Sequence, residues 1–310
     1  MKLVLSAVAV VSLCAVPVWA QSDKSKNTET QGTRPEPPML GKHLAKGQAR
    51  PGGGGGTPLL TYHGGGVVLS PTNVDVHPIF WGTSWTNPAA EKVSGIKLFY
   101  GGVGSSTYLN SNTEYTQSSD GTGSHVTTGV SVVDPLIDTS AAPRNGSQTS
   151  PILAEVCKMI GTPSSTAYYP VYVDTPRGHA GFCAWHSWGT CGGVNVQFAF
   201  FFNLDGDPGC DPGDNSTGHS QGLAALANVS GHELSEMLTD PRGQGWFDAQ
   251  GAENSDKCAW TFGSPSLTFK NNTAWKVQGN WSNAAYSSGL GYVSGGKEVT
   301  GCIDGSSHQQ

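Results

Sequence analysis

The chain has 310 residues, of which 36% are hydrophobic and 13% charged, with 43 glycines and a formal net charge of −6. That length and apolar content allow one large buried core. The acidic balance argues against nucleic-acid binding by the folded part, because a phosphate backbone is recognised through clustered positive charge.

Met1 to Ala20 begins with a lysine, continues in the apolar run Leu3 to Val16 and ends in Val18-Trp19-Ala20. This pattern predicts a cleaved secretory signal and therefore a secreted, extracellular or periplasmic protein. No second run approaches the ~18 apolar residues of a membrane span, so no membrane insertion is expected. Six cysteines remain after the signal: Cys157, Cys183, Cys191, Cys210, Cys258 and Cys302. An even number in an exported chain predicts disulfides. Sequence alone does not choose their connectivity, although a short hairpin would favour Cys183 with Cys191.

Residues 21–57 carry six basic and three acidic groups, lack aromatics and include five consecutive glycines. Such a composition buries too little surface to fold, which predicts a disordered linker or removable pro-segment. The folded domain is expected over 58–304, with 305–310 as a tail. Gly66 to Ser70 and Val74 to Trp81 read as strands, rich in β-branched and aromatic residues, with His77 packed or at an edge. Asn87-Pro88 predicts the cap and first position of a helix reaching Tyr100. Residues 117–150 read as loop apart from Val126 to Val133, and Pro151 to Ile160 as a second helix.

Tyr168 to Val173 and Val194 to Phe202 read as strands, the second so continuously apolar that it belongs inside a sheet. Between them, Gly178 to Ser187 places His179 and His186 on a connection, where loops often deliver site residues. His186 is a site candidate there, weighed equally against a surface histidine. Asp205, Asp207, Asp211 and Asp214 then crowd a Gly- and Pro-rich loop that lacks EF-hand spacing; it reads either as a calcium loop or as an ordinary acidic turn.

Leu223 to Pro241 is the stretch where helical periodicity and ionisable chemistry coincide. At about 100° per residue, Leu223, Ala227, Leu234 and Leu238 make one apolar stripe. His232, Glu236 and Asp240 follow one another by single turns on the opposite side, with Glu233 beside them. The spacing is that of His-Glu-x-x-His with glutamate in the second ligand position. Two ligands one turn apart can grip one ion, and the residue after the first is placed to act as a base toward water. The competing reading is a solvated acidic face. Pro241 ends the helix and leaves Glu236 and Asp240 in its last turn, where the helix dipole disfavours acids and a cation would offset the misfit. Between Asp205 and Asp256 there are ten Asp and Glu against one basic residue, Arg242.

Beyond the helix, Asp248 and Gly251 fit the first and fourth places of a type I turn. Glu253 and Asp256 are candidate third ligands, with Asp240 in reserve. Ser266 to Lys270 and Thr273 to Gln278 predict a hairpin around Asn271-Asn272. Gly218-His-Ser-Gln-Gly222 matches a serine-hydrolase elbow, but a polar loop precedes it, so Ser220 reads instead as the helix cap.

Pro58 to Ser70 with Ile79-Phe-Trp81, together with Leu223 through Gly245-Trp-Phe-Asp248 to Cys258, resemble the plant phosphate-induced protein 1, or EXORDIUM-like, family. From about residue 58 to 302, including Gly181-Phe-Cys183 and Trp281-Ser-Asn283, the chain resembles that family's exported microbial relatives. The plant members' resemblance implies a cell-wall association. The helix separately resembles the active-site helix of zincin metallopeptidases, which carries over to His232 and Glu233. The expectation is a single α+β domain, zincin-like, with a mixed sheet packed on helices and disulfides. As an enzyme it would be a zinc-dependent hydrolase, most plausibly a metallopeptidase acting on a peptide or protein, with His232 and Glu236 as ligands and Glu233 as base. Calcium is the alternative ion. The alternative function is a non-catalytic extracellular protein that holds a structural ion and binds cell-wall polysaccharide through exposed tryptophans.

Overall fold

The computed structural model describes residues 36–48, 58–68 and 73–306. The signal segment, residues 1–20, lies outside the described residues. An eight-stranded mixed sheet organises the fold: β1 (Leu40–Leu44), β2 (Val74–Val76), β3 (Ile79–Trp81), β4 (Val130–Val132), β5 (Leu136–Asp138), β6 (Tyr168–Pro176), β7 (Phe182–Cys191) and β8 (Val194–Asn203). Their order is β1-β7-β8-β6-β2-β4, with β3 paired to both β6 and β5. The apolar run of β8 lies inside the sheet, antiparallel to β7 and parallel to β6. The run expected from Val74 to Trp81 divides at His77-Pro78, since proline has no N–H for a ladder bond. Val67 and Val68 are buried without forming a strand.

Three longer helices complete the frame: α1 (Glu91–Val103), α2 (Ser150–Met159) and α3 (Gln221–Thr239). The start expected at Asn87-Pro88 is corrected by local hydrogen bonding. The Asn87 side chain accepts from the Ala89 N–H at 3.0 Å and its carbonyl from the Ala90 N–H at 2.9 Å. Those two residues therefore make a turn, and the helix begins at Glu91. Ser220 caps α3 as expected, accepting from the Leu223 N–H at 3.3 Å. Asn271-Asn272 turns the expected hairpin, with Asn272 at φ +62°.

Helix α3 packs on β1, β7 and β8 and against α1. A Cβ on Gly95 of α1 would stand 2.5 Å from Leu223 of α3, so glycine there permits the close approach. A buried hydroxyl chain fixes the rotation of α3. The Tyr100 hydroxyl lies 3.0 Å from that of Tyr172, which lies 2.7 Å from Ser230 Oγ. Two residues on, His232 is thereby aimed at the end of the sheet where β1 and β7 run.

The disulfides are Cys157–Cys191, Cys183–Cys210 and Cys258–Cys302. The favoured pairing of Cys183 with Cys191 is incorrect, because both sit on the extended strand β7, which separates them by on the order of 25 Å. Three disulfides suit an oxidising, non-cytoplasmic compartment. No helix among the described residues is long and apolar enough to cross a membrane.

The largest correction concerns residues 36–48 of the segment expected to be a linker, the part of it that lies among the described residues. Residues 36–48 are ordered onto the domain, and β1 pairs antiparallel with β7. Composition predicted too little burial for folding, but this segment borrows a sheet edge and a core that already exist.

Candidate metal centre

Every residue of α3 from Gly222 to Thr239 is buried, which removes the reading of a solvated acidic face. Glu236 is the hub of the polar side. Its Oε1 lies 3.1 Å from His232 Nε2 and accepts from the Asp256 N–H at 2.9 Å. Its Oε2 faces the other way, 3.9 Å from His186 Nε2. Asp256 Oδ1 is 3.6 Å from His232 Nε2, and Glu253 Oε2 is 3.1 Å from His186 Nε2. Two buried sets of ligand atoms result, His232-Glu236-Asp256 and His186-Glu233-Glu236, each with its atoms within 4.8 Å of one another.

Strand β7 supplies His186, contrary to its expected place on a connecting loop. Successive side chains of a strand alternate between faces. Trp185 stacks on Phe200 at 5.3 Å, while His186 reaches the carboxylates. The loop from Asp248 to Cys258 supplies the remaining acids, Glu253 and Asp256. Ser255 Oγ lies 3.2 Å from the His232 carbonyl oxygen and 2.8 Å from Asn280 Oδ1, and the Cys258–Cys302 bond holds the loop's end. Ser255 and Asn280 carry no metal-ligand signature in the sequence.

Asp240, the reserve ligand, belongs to neither set. Its Oδ1 accepts from the N–H groups of Gln244 and Gly245, both at 2.7 Å, and shapes the turn after α3. The acidic loop before α3 is likewise committed elsewhere. Asp207 pairs with Arg177, Asp205 with Lys92, and Asp211 and Asp214 accept from backbone N–H groups two residues on. Those bonds support the ordinary-turn reading of that loop.

Burial governs the protonation of the site. It drives the Glu233 carboxyl well above the usual carboxylate range, with the charges of Glu236 and Asp256 adding to the effect. Burial raises Glu253 as well, reinforced first by Glu236. Burial and then His232 lower His186 to about 3, leaving a neutral ring of the kind that ligates metals. Gln278 Nε2 donates to the Ser255 carbonyl at 2.7 Å and lies 3.0 Å from His232 Nδ1. A His232 ring that ligates through Nε2, the nitrogen toward Glu236 and Asp256, carries its proton on Nδ1 and meets the oxygen of a turned Gln278 amide.

The buried His, Glu and Asp groups can hold a metal ion, and the donors fit one. Both Glu233 oxygens are fully buried, and the carboxyl meets the backbone N–H of His43. Burying that carboxyl beside the charges of Glu236 and Asp256 is costly, and a cation among the sets offsets that cost. Imidazole and carboxylate donors without thiolate suit zinc and other first-row divalent ions. A cavity of about 840 Å³ lies alongside, lined by Leu40, Gly41, Asp240, Glu253 and Asp256 among others.

No protein-family model matches the chain, and neither does any curated protein or solved structure.

Proposed function

We propose that the chain is an exported metal-dependent hydrolase, with zinc as the ion and peptides as the substrate class. The observation that carries this reading is that Glu236 is shared by two buried histidine-containing ligand sets, one of which includes the buried Glu233. His232, Glu236 and Asp256 would hold the ion, with His186 and Glu253 on the far side of Glu236. A divalent ion there supplies Lewis acidity toward a carbonyl and toward water.

Glu233 does the proton work. Burial makes its carboxylate a stronger base than usual, so it takes a proton from water and returns it to the leaving amine. The neutral His186 ring orients Glu253 and keeps that carboxyl beside the site. Ser255 ties the loop to the helix backbone, so that Asp256 keeps its place beside His232 and Glu236.

The competing role, a wall-binding protein with sugar-facing tryptophans, has less support. The exposed large hydrophobics among the described residues are Leu98, Val133, Tyr286, Leu290 and Val293, none of them tryptophan. The test is Glu233→Gln in the metal-loaded protein, followed with a broad peptide-cleavage screen. Retained metal with turnover reduced on the order of 10²-fold or more supports the base role. Unchanged turnover would reject it, and a wild-type protein that cleaves nothing even after limited proteolysis would return the weight to binding.

A further inference from the structure

His186, His232, Glu233 and Glu236 are all 0% exposed, so no substrate reaches them while the chain stands as it does. The cover is β1. It joins the sheet as an edge strand on β7, with Leu40 opposite His186, His43 opposite Ala184 and Leu44 opposite Phe182. From Leu40 to His43 the strap has one residue more than β7 has between their partners, a bulge that bends the strap inward. Gly41 sits at that bulge with φ +45°. A Cβ there would lie 2.1 Å from Glu236 Oε2 and 2.5 Å from His186 Nε2. The strap's backbone therefore rests directly on Glu236, which the two ligand sets share, and on His186 of one set.

The following residues seal the other half. The His43 ring stacks on that of His232 at 4.1 Å and against Trp260 at 4.6 Å. Trp260 Nε1 donates to the Leu44 carbonyl at 2.8 Å, from a residue held at φ +61°, a costly conformation for a bulky side chain. Both ends are tied down. The Glu36 carboxylate accepts from the Thr149 and Ser150 N–H groups at 2.5 and 2.8 Å, and the Lys46 N–H donates to the Gly209 carbonyl at 2.8 Å.

We infer that residues 36–48 are a built-in plug: an extended segment of the chain's own pro-region that occupies the β7 edge over the metal ligands and keeps the site shut until it is displaced. This rests on the proposed function for what is inhibited, but the covering itself does not. A strand edge left open by the plug presents unpaired N–H and C=O groups, which an extended polypeptide running the same way as β1 would satisfy. The plug thus marks where the substrate backbone lies. The residue facing Glu236 and His186 is glycine, which predicts a preference for small residues at that position.

The test uses the full chain with a site-specific protease sequence placed between Gln48 and Pro58 and cut in place. Three readouts are followed on cut and uncut protein: hydrogen exchange at the β7 amides, removal of loaded zinc by a chelator, and cleavage of an extended peptide library. Cutting and separating the plug should speed β7 exchange and zinc removal at least 100-fold. Synthetic peptide 36–48 added back should reverse both, while the same peptide with His43→Ala and Glu36→Ala should reverse them poorly. Peptide cleavage should appear only after the cut. Equal β7 exchange and zinc removal before and after separation would overturn the plug, as would global unfolding of the cut chain, which would make 36–48 part of the structural core. A chain that opens on cutting but cleaves nothing would retain the covering and reject the hydrolase reading alone. If zinc does not load, exchange and peptide rebinding still decide the covering.

Discussion

Replacing Gly41 with alanine introduces a single methyl group at the point where the strap touches the site. Two costs add. The φ of +45° is left-handed, which a Cβ makes unfavourable by about 1–2 kcal/mol. The new methyl would also stand 2.1 Å from Glu236 Oε2 and 2.4 Å from His186 Cδ2, inside van der Waals contact. Glu236 cannot swing aside cheaply, because its other oxygen accepts the Asp256 N–H and both residues are buried. Overpacking of that kind costs about 1–3 kcal/mol. Together they weaken strap docking by about 2–5 kcal/mol, roughly 30-fold or more in the opening equilibrium. Because β1 lies at the edge, its opening is local and leaves the remaining strands paired. Native-state hydrogen exchange is the appropriate assay. The β7 amides facing β1 should exchange roughly 30-fold faster or more, while those of β8 keep wild-type protection. Unchanged exchange along β7 would refute the argument that the strap rests on Glu236 and His186.

Three other expectations follow from the same geometry. Changing Cys258 and Cys302 together to serine opens a loop of 44 residues, which should cost about 4 kcal/mol and lower the melting temperature by roughly 8–16 °C; a calorimetric shift of a degree or two would contradict it. The same variant should hold metal more weakly, since Asp256 lies two residues from Cys258 and depends on the loop's position. Hydrogen bonds from Ser150 and then Thr149 lower the Glu36 carboxyl from 4.5 to about 2. Its contribution to strap docking is therefore complete above pH 4.5 and lost as pH falls toward 2, so β7 exchange should accelerate over that interval in the wild type and stay flat in Glu36→Gln. A wild type with no acid dependence beyond that of the variant would count against the anchor.

Much of the core was legible because periodicity reports burial. The central strand at Val194, the cap at Ser220, the hairpin at Asn271-Asn272 and the turn from Asp248 to Gly251 all follow from local chemistry, and the structure has each of them. The ligand candidates were readable for a related reason: His232 and Glu236 are one helical turn apart, and Glu253 and Asp256 stand close in sequence to Cys258. What pairs across the sheet was less accessible. His186 looked like a loop residue because nothing local shows that Phe182 to Cys191 lies against β8. Gly41 and His43 were hidden in a polar, glycine-rich segment whose order comes entirely from surfaces distant in sequence. Gln278, Ser255 and Asn280 are amide and hydroxyl residues whose role is to hold other groups, and such residues have no spacing rule.

The central claim is that Glu236 joins two histidines into a metal centre, and metal content tests it most directly. The purified full-length protein, loaded with zinc and dialysed, should retain at least one equivalent by elemental analysis. Glu236→Gln keeps the size of the side chain but removes the charge shared by His232 and His186, and it should retain none while folding normally. Retention of zinc by Glu236→Gln at the wild-type level, or its absence from a folded wild type, would contradict the account.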